Sequence, residues 1–99
     1  MALTSAQIKQ FRTIGHNLKP VVTLAGNGLS EGVLSELERA LEDHELIKVK
    51  IAVTDRDARK QAIEIMCKKT NASLIQTIGK VALLFRQARK PNANKSNIR

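Results

Sequence analysis

Val21-Val22-Thr23-Leu24-Ala25-Gly26-Asn27-Gly28-Leu29-Ser30-Glu31 reads as a strand, a small-residue turn and the start of a helix. The β-branched run suits a pleated, half-buried surface, and the glycines let the chain turn tightly. Ser30 is placed to cap the helix, with Glu31 near the positive end of its dipole and Leu29 and Leu34 at staple spacing. Val33, Leu37, Ala40, Leu41 and His44 then share one face, which predicts a helix to about Asp43. Next, Leu46-Ile47-Lys48-Val49-Lys50-Ile51 alternates cleanly: Ile47, Val49 and Ile51 fall on one side of a strand, Lys48 and Lys50 on the other. Strand, helix and strand in this order form a crossover unit, which implies locally parallel pairing. Glycines at a strand-to-helix junction also let an anion approach the free N–H groups of the helix N-terminus.

Upstream, Thr4-Ser5-Ala6-Gln7 is a capping box, and Ile8, Phe11, Gly15 and Leu18 follow one face of a helix from about Ser5 to His16. Lys19-Pro20 ends it. Downstream, Thr54 or Asp55 caps a third helix expected to bury Ala58, Ala62, Ile65 and Met66, with Asn71 as its left-handed terminator. Ser73–Ile78 and Val81–Arg86 read as strands joined by Gly79-Lys80, and glycine at the first loop position suits a type II′ hairpin. The order α-β-α-β-α-β-β points to an α/β fold, a two-layer sandwich of three helices and a four-stranded mixed sheet. The terminal hairpin should add an antiparallel edge. Helices covering one face would leave Lys48 and Lys50 on the open one.

Ninety-nine residues with 42% hydrophobic content suffice for one packed domain, placed at residues 1–86, with 87–99 as a basic flexible tail. That tail holds Pro91, three asparagines and no acid. Seventeen Lys and Arg against nine Asp and Glu give a net charge of +8, which favours a polyanionic partner. The charge is uneven. Residues 1–30 carry Lys9, Arg12 and Lys19 without an acid, whereas residues 31–45 carry six acids against Arg39 alone. The single cysteine, Cys67, sits on an apolar-periodic segment and reads as a core residue of a reducing compartment. With no signal-peptide pattern and no apolar run of membrane-spanning length, the expected location is cytoplasmic and the membrane is not an expected partner.

Paired cations on one strand face, Lys48 and Lys50, suit a phosphate track, although they also protect an exposed sheet from unwanted pairing. Phe11 and Phe85 are the only aromatic residues, and both occupy core-periodic positions. A base-stacking sheet is therefore not expected, and binding should rest on backbone phosphates, shape and loop N–H groups, with strong salt dependence. His16, His44 and Cys67 are far apart in sequence, and no Cys or His pair has metal spacing. Gly28 is followed by Leu29 and Ser30, not by a Walker lysine. No catalytic constellation, metal, cofactor or small-molecule substrate is expected.

Leu18-Lys19-Pro20-Val21-Val22, Gly28-Leu29-Ser30-Glu31-Gly32-Val33, His44-Glu45-Leu46-Ile47-Lys48-Val49-Lys50, and Ile78-Gly79-Lys80 ahead of Leu84-Phe85-Arg86 together resemble the CRM domain, the chloroplast RNA splicing and ribosome maturation domain. The likeness is strongest to its stand-alone bacterial, YhbY-type form and covers about residues 3–86. It implies a fold akin to the C-terminal domain of translation initiation factor three, RNA binding without catalysis, and association with precursors of the large ribosomal subunit. It also implies that the loop Ala25-Gly26-Asn27-Gly28 corresponds to a Gly-x-x-Gly loop of the kind that clamps an RNA backbone in KH domains, with Ala25 in the first glycine's place. The expected RNA-binding residues are Gly26, Asn27 and Gly28 at the loop and Lys48, Lys50 and Arg86 along a basic track, together with Lys19 and Lys80. Two rival readings are a module that docks ribosomal proteins through its acidic second helix and a general nucleic-acid binder.

Overall fold

The computed structural model describes residues 3–25 and 28–99. Among these residues the chain forms α1 (Ser5–Gly15), β1 (Pro20–Leu24), α2 (Glu31–His44), β2 (Leu46–Ile51), α3 (Arg56–Thr70), β3 (Ser73–Ile78) and β4 (Val81–Phe85). Each helix starts where a side chain satisfies a free backbone donor. Thr4 Oγ1 accepts from the Gln7 N–H at 3.1 Å while Gln7 Oε1 accepts from the Thr4 N–H at 2.9 Å, completing the capping box. Ser30 Oγ caps α2 through the Val33 N–H, and Asp55, rather than Thr54, caps α3 through the Ala58 N–H. Asn71 ends α3 in the left-handed conformation, at φ 59° and ψ 27°. Gly79 has φ +58° and Lys80 has no positive φ, the combination that a type II′ turn requires.

The strand order is β1-β2-β4-β3, with β1 and β2 parallel and the remaining pairs antiparallel. The hairpin adds the expected antiparallel edge, and it does so with β4, not β3, beside β2. The residues give the reason. Ala82, Leu83 and Leu84 are buried on both faces, which only an interior strand provides, whereas Ser73, Gln76 and Thr77 suit β3 to the rim.

Two apolar clusters lie on opposite faces of the sheet. On one, Val22, Leu24, Ile47, Val49, Ile51, Ala82 and Leu84 meet Leu37 and Leu41 of α2 and Ile63 and Met66 of α3. The expected α3 face is rotated: Ile63 is buried and Ile65 is 46% exposed. On the other, Phe11 packs with Leu46, Ile75 and Leu83, supported by Ile8, Ile14, Leu18 and Phe85. Thus α1 covers one end of the face that was expected to be open. Gly15 permits this approach, since a Cβ there would lie 2.6 Å from Leu83 Cδ2.

The segment after β4 is docked against the domain, in contrast to the loose tail expected. Its anchor is Glu45, fully buried at the end of α2 with φ 65° and ψ −44°. The Glu45 carboxylate accepts from the Ala88 N–H at 2.8 Å, the Ser96 hydroxyl at 3.0 Å and both Nε and Nη2 of Arg99. Asn97 donates through its main chain to the His44 carbonyl and through its side chain to the Leu46 carbonyl, and Ile98 packs on the Phe11 cluster. Composition alone suggested disorder because these anchors are hydrogen bonds to an acid buried far away in sequence.

Candidate nucleic-acid interface

The alternation of β2 sends Leu46, Lys48 and Lys50 to the face occupied by α1 at one end. The α1 contact runs from Leu46 and Phe85, which pair across the sheet, as far as Leu83, the cross-strand partner of Lys48. Beyond it no helix among the described residues covers the face. Lys48 pairs with Leu83 on one side and Pro20 on the other, and Lys50 with Val81 and Thr23. Pro20, Lys48, Gln76, Ile78, Val81 and Leu83 line a shallow groove of about 180 Å³. Lys48 is half-buried at its floor and Lys50 is exposed beside it. Among the described residues, neither forms an ion pair.

The structure brings Lys80 to the same region. It lies exposed in the β3–β4 turn, and its carbonyl accepts from the Ile51 N–H at 2.6 Å, one residue beyond Lys50. The Ala52 N–H donates to the Leu24 carbonyl, so the glycine loop leaves β1 at this end of the sheet too. Lys19 is exposed just before Pro20, whose partner is Lys48. Four lysines therefore border one uncovered sheet surface.

Gly26 and Asn27 lie outside the described residues. Gly28 has φ +91°, its N–H donates to the Ala25 carbonyl at 3.1 Å, and among the described residues nothing beyond its chain neighbours lies within 4 Å of where its Cβ would be. A side chain would be strained by the backbone there, not by crowding. Free space beside an N-terminal helix dipole suits an anion, although exposed Glu31 already places negative charge in the first turn.

Arg86 does not join the lysines. Its Nη1 donates to Glu38 Oε2 at 2.6 Å and to the Thr70 carbonyl at 3.2 Å, and Nη2 lies 3.5 Å from Glu42 Oε1. Only 12% of its side chain is exposed. It ties the end of β4 to α2 and α3, and its charge is matched by these acids. Corrected accordingly, the basic surface consists of lysines.

Glu38, Glu42 and Asp43 of α2 are likewise engaged. Glu42 accepts from the Arg89 and Lys90 N–H groups, which hold its carboxyl below the usual range, helped by the charge of Arg86. Asp43 faces Lys95 at 3.9 Å. The Arg99 guanidinium holds Glu45 low despite burial, and Glu45 in turn raises Arg99. His44 Nδ1 meets the Lys95 carbonyl at 2.7 Å, which requires the proton on Nδ1. This tail-anchoring cluster was missed from sequence; the signal was an acid, Glu45, directly beside a fully apolar strand start. Burial raises the Cys67 thiol pKa, in keeping with a packed role. Phe11 and Phe85 stack with centroids 4.5 Å apart in the second core and offer no exposed base platform.

The CRS1/YhbY (CRM) domain family model matches residues 3–86. The chain belongs to this family. A Pseudomonas aeruginosa protein named as a probable RNA-binding protein is 58% identical over 98 residues, covering 99% of this chain and 94% of the relative. A Haemophilus influenzae protein named as an RNA-binding protein is 48% identical, covering 87% of this chain and 88% of its own length. The solution structure of a Staphylococcus aureus protein, proposed to bind RNA, superimposes with a TM-score of 0.78 at 28% identity, covering 90% of this chain and 93% of that one. The CRM likeness read from the four motifs is thereby established, and so is the α/β architecture of three helices and a four-stranded mixed sheet.

Proposed function

We propose that this CRM domain is a non-catalytic RNA-binding protein that assists ribosome assembly by engaging large-subunit precursor RNA. The observation that carries the reading is the uncovered half-sheet bordered by Lys48, Lys50, Lys80 and Lys19, in a family whose relatives carry RNA-binding names. Lysines bind phosphate as point charges, so the surface follows the RNA backbone rather than reading base edges. Groove shape and the A-form spacing of phosphates supply the preference for structured RNA. The Gly26-Asn27-Gly28 loop takes a phosphate at the end of the sheet nearest Lys50 and Lys80. None of these groups performs bond chemistry. No helix among the described residues is long and apolar enough to cross a membrane, and we place the protein in the cytoplasm, where precursor particles form.

The acidic-helix alternative has little free charge to use. Arg86, Lys95 and Arg99 and the tail's N–H groups occupy Glu38, Glu42, Asp43 and Glu45, leaving Glu31 and Glu36 as the outward acids. The reading is tested by titrating the protein against structured large-subunit ribosomal RNA and duplex DNA of equal length at matched salt. RNA binding at least tenfold tighter is expected, and equal affinities would make the protein a general nucleic-acid binder. Gradient sedimentation of lysate should place the protein with large-subunit precursors at low salt and release it at high salt. Comigration with mature particles alone would remove the assembly role.

A further inference from the structure

The two rims of the sheet are not alike. Pro20, a backbone irregularity at Val21 and flanking α2 residues guard the β1 rim, where the groove beside Val21 is lined by Glu36, Arg39 and Asp43. The β3 rim has an irregularity of its own at Ile75, but no proline. Ser73-Leu74-Ile75-Gln76-Thr77-Ile78 contains no charge, and its outer side has no strand neighbour among the described residues. Leu74 is 47% exposed and Ile78 is 61% exposed, one toward each face. An uncharged, aliphatic rim, regular from Gln76 to Ile78, is a template for another strand, and proteins that do not use such a rim normally block it with charge or proline.

Cations flank this rim on both faces. On the α3 side, Leu74 and Thr77 border a groove of about 400 Å³ together with Arg56, Arg59, Lys60 and one acid, Glu64. Arg59 is partly occupied by the Val53 and Thr54 carbonyls; Arg56 and Lys60 form no ion pair among the described residues. On the other face, Ile78 shares its groove with Lys48, and Lys80 follows in the turn.

We propose that β3 is a docking edge for an extended acidic segment of a protein partner, which adds to the sheet as a fifth strand. Main-chain hydrogen bonds along β3 would provide the framework. Alternate side chains would reach Leu74 with Arg56 and Lys60 on one face, and Ile78 with Lys48 on the other. A second copy of this chain fits poorly, because pairing two such rims would bring the flanking cations together in molecules of net charge +8. A nucleic acid lacks the regular alternation of N–H and C=O that a strand rim recognises, and Leu74 and Ile78 offer no stacking ring. On one face this interaction shares Ile78 and Lys48 with the groove proposed for RNA, whereas Leu74, Arg56 and Lys60 on the other face lie outside that groove.

The test uses the isotopically labelled full chain and a capped eight-residue peptide of alternating Glu and Val. The expected result is slowed exchange of β3 amides, loss of that protection when the peptide is N-methylated on alternate residues, and affinity about fivefold weaker for Arg56→Gln with Lys60→Gln, as rim charges contribute. RNA affinity of that variant, measured in parallel, reports separately on the half-sheet. Equal binding of a Lys–Val peptide, absence of β3 protection, a concentration-dependent dimer through β3, or the same β3 protection produced by an oligonucleotide would each overturn the proposal.

Discussion

Replacing Glu45 tests whether a buried acid, held in an unfavourable backbone conformation, fastens the C-terminal segment. Its carboxylate is fully buried and accepts from Ala88, Ser96 and Arg99, while φ 65° and ψ −44° put its backbone in a region that a residue with a Cβ rarely enters. Glu45→Ala strands the buried Ala88 N–H and releases Ser96 and Arg99. Hydrogen bonds to a charged acceptor contribute about 1.5–3 kcal/mol each. The loss at Ala88 is borne in full, whereas Ser96 and Arg99 reach water, so the net cost is about 3 kcal/mol. For a domain of this size that lowers Tm by roughly 15 °C. Glu45→Gly loses the same bonds but relaxes the backbone and should recover about 1 kcal/mol. Glycine should therefore be milder than alanine at this helix end, the reverse of the order inside a helix. Thermal unfolding followed by circular dichroism, with amide exchange at Ala88 and Asn97, measures both effects. An alanine variant melting within a few degrees of the parent, or a glycine variant less stable than the alanine one, would refute the reasoning.

Acid should loosen the same segment. Glu42 and Glu45 both have carboxyl pKa values lowered from 4.5, so their stabilisation is present above that value and is lost as pH falls through their lower folded values. Tail amides should lose protection below about pH 4.5 in the parent, and Glu42→Gln with Glu45→Gln should flatten that dependence. Gly15→Ala gains helix propensity but drives a Cβ to 2.6 Å from Leu83, and the overlap should win by about 1–2 kcal/mol in chemical denaturation. Arg86→Gln should cost about 2 kcal/mol of stability by unpairing Glu38 and the Thr70 carbonyl, yet change RNA affinity less than threefold, because its charge is already matched.

Local signals were readable from the sequence wherever one residue type fixes one backbone feature. Thr4 and Gln7, Ser30, Asp55, Asn71 and Gly79 all occupy the caps and turns their chemistry predicts. The β2 alternation likewise placed Lys48 and Lys50 opposite Ile47 and Val49. Non-local choices were not readable. Which hairpin strand goes inside depends on burial of both faces of Ala82-Leu83-Leu84, and α1 reaches the second face only because Gly15 admits Leu83. Arg86 read as a surface cation because its partners, Glu38 and Glu42, come from a helix more than forty residues away. The tail read as loose because Glu45, its buried anchor, stood out in sequence only as one of six acids in residues 31–45.

The most direct measurement of the central claim is the salt dependence of RNA affinity for the parent and for Lys48→Gln with Lys50→Gln. If the two lysines each neutralise a phosphate, the variant's log–log slope should be shallower by about 1.4–1.8, so that raising salt from 50 to 200 mM costs it roughly seven- to twelvefold less affinity than it costs the parent. Melting temperatures should match, since neither lysine forms an ion pair among the described residues. A folded variant with the parent's affinity and the parent's slope would contradict the assignment of RNA to this face.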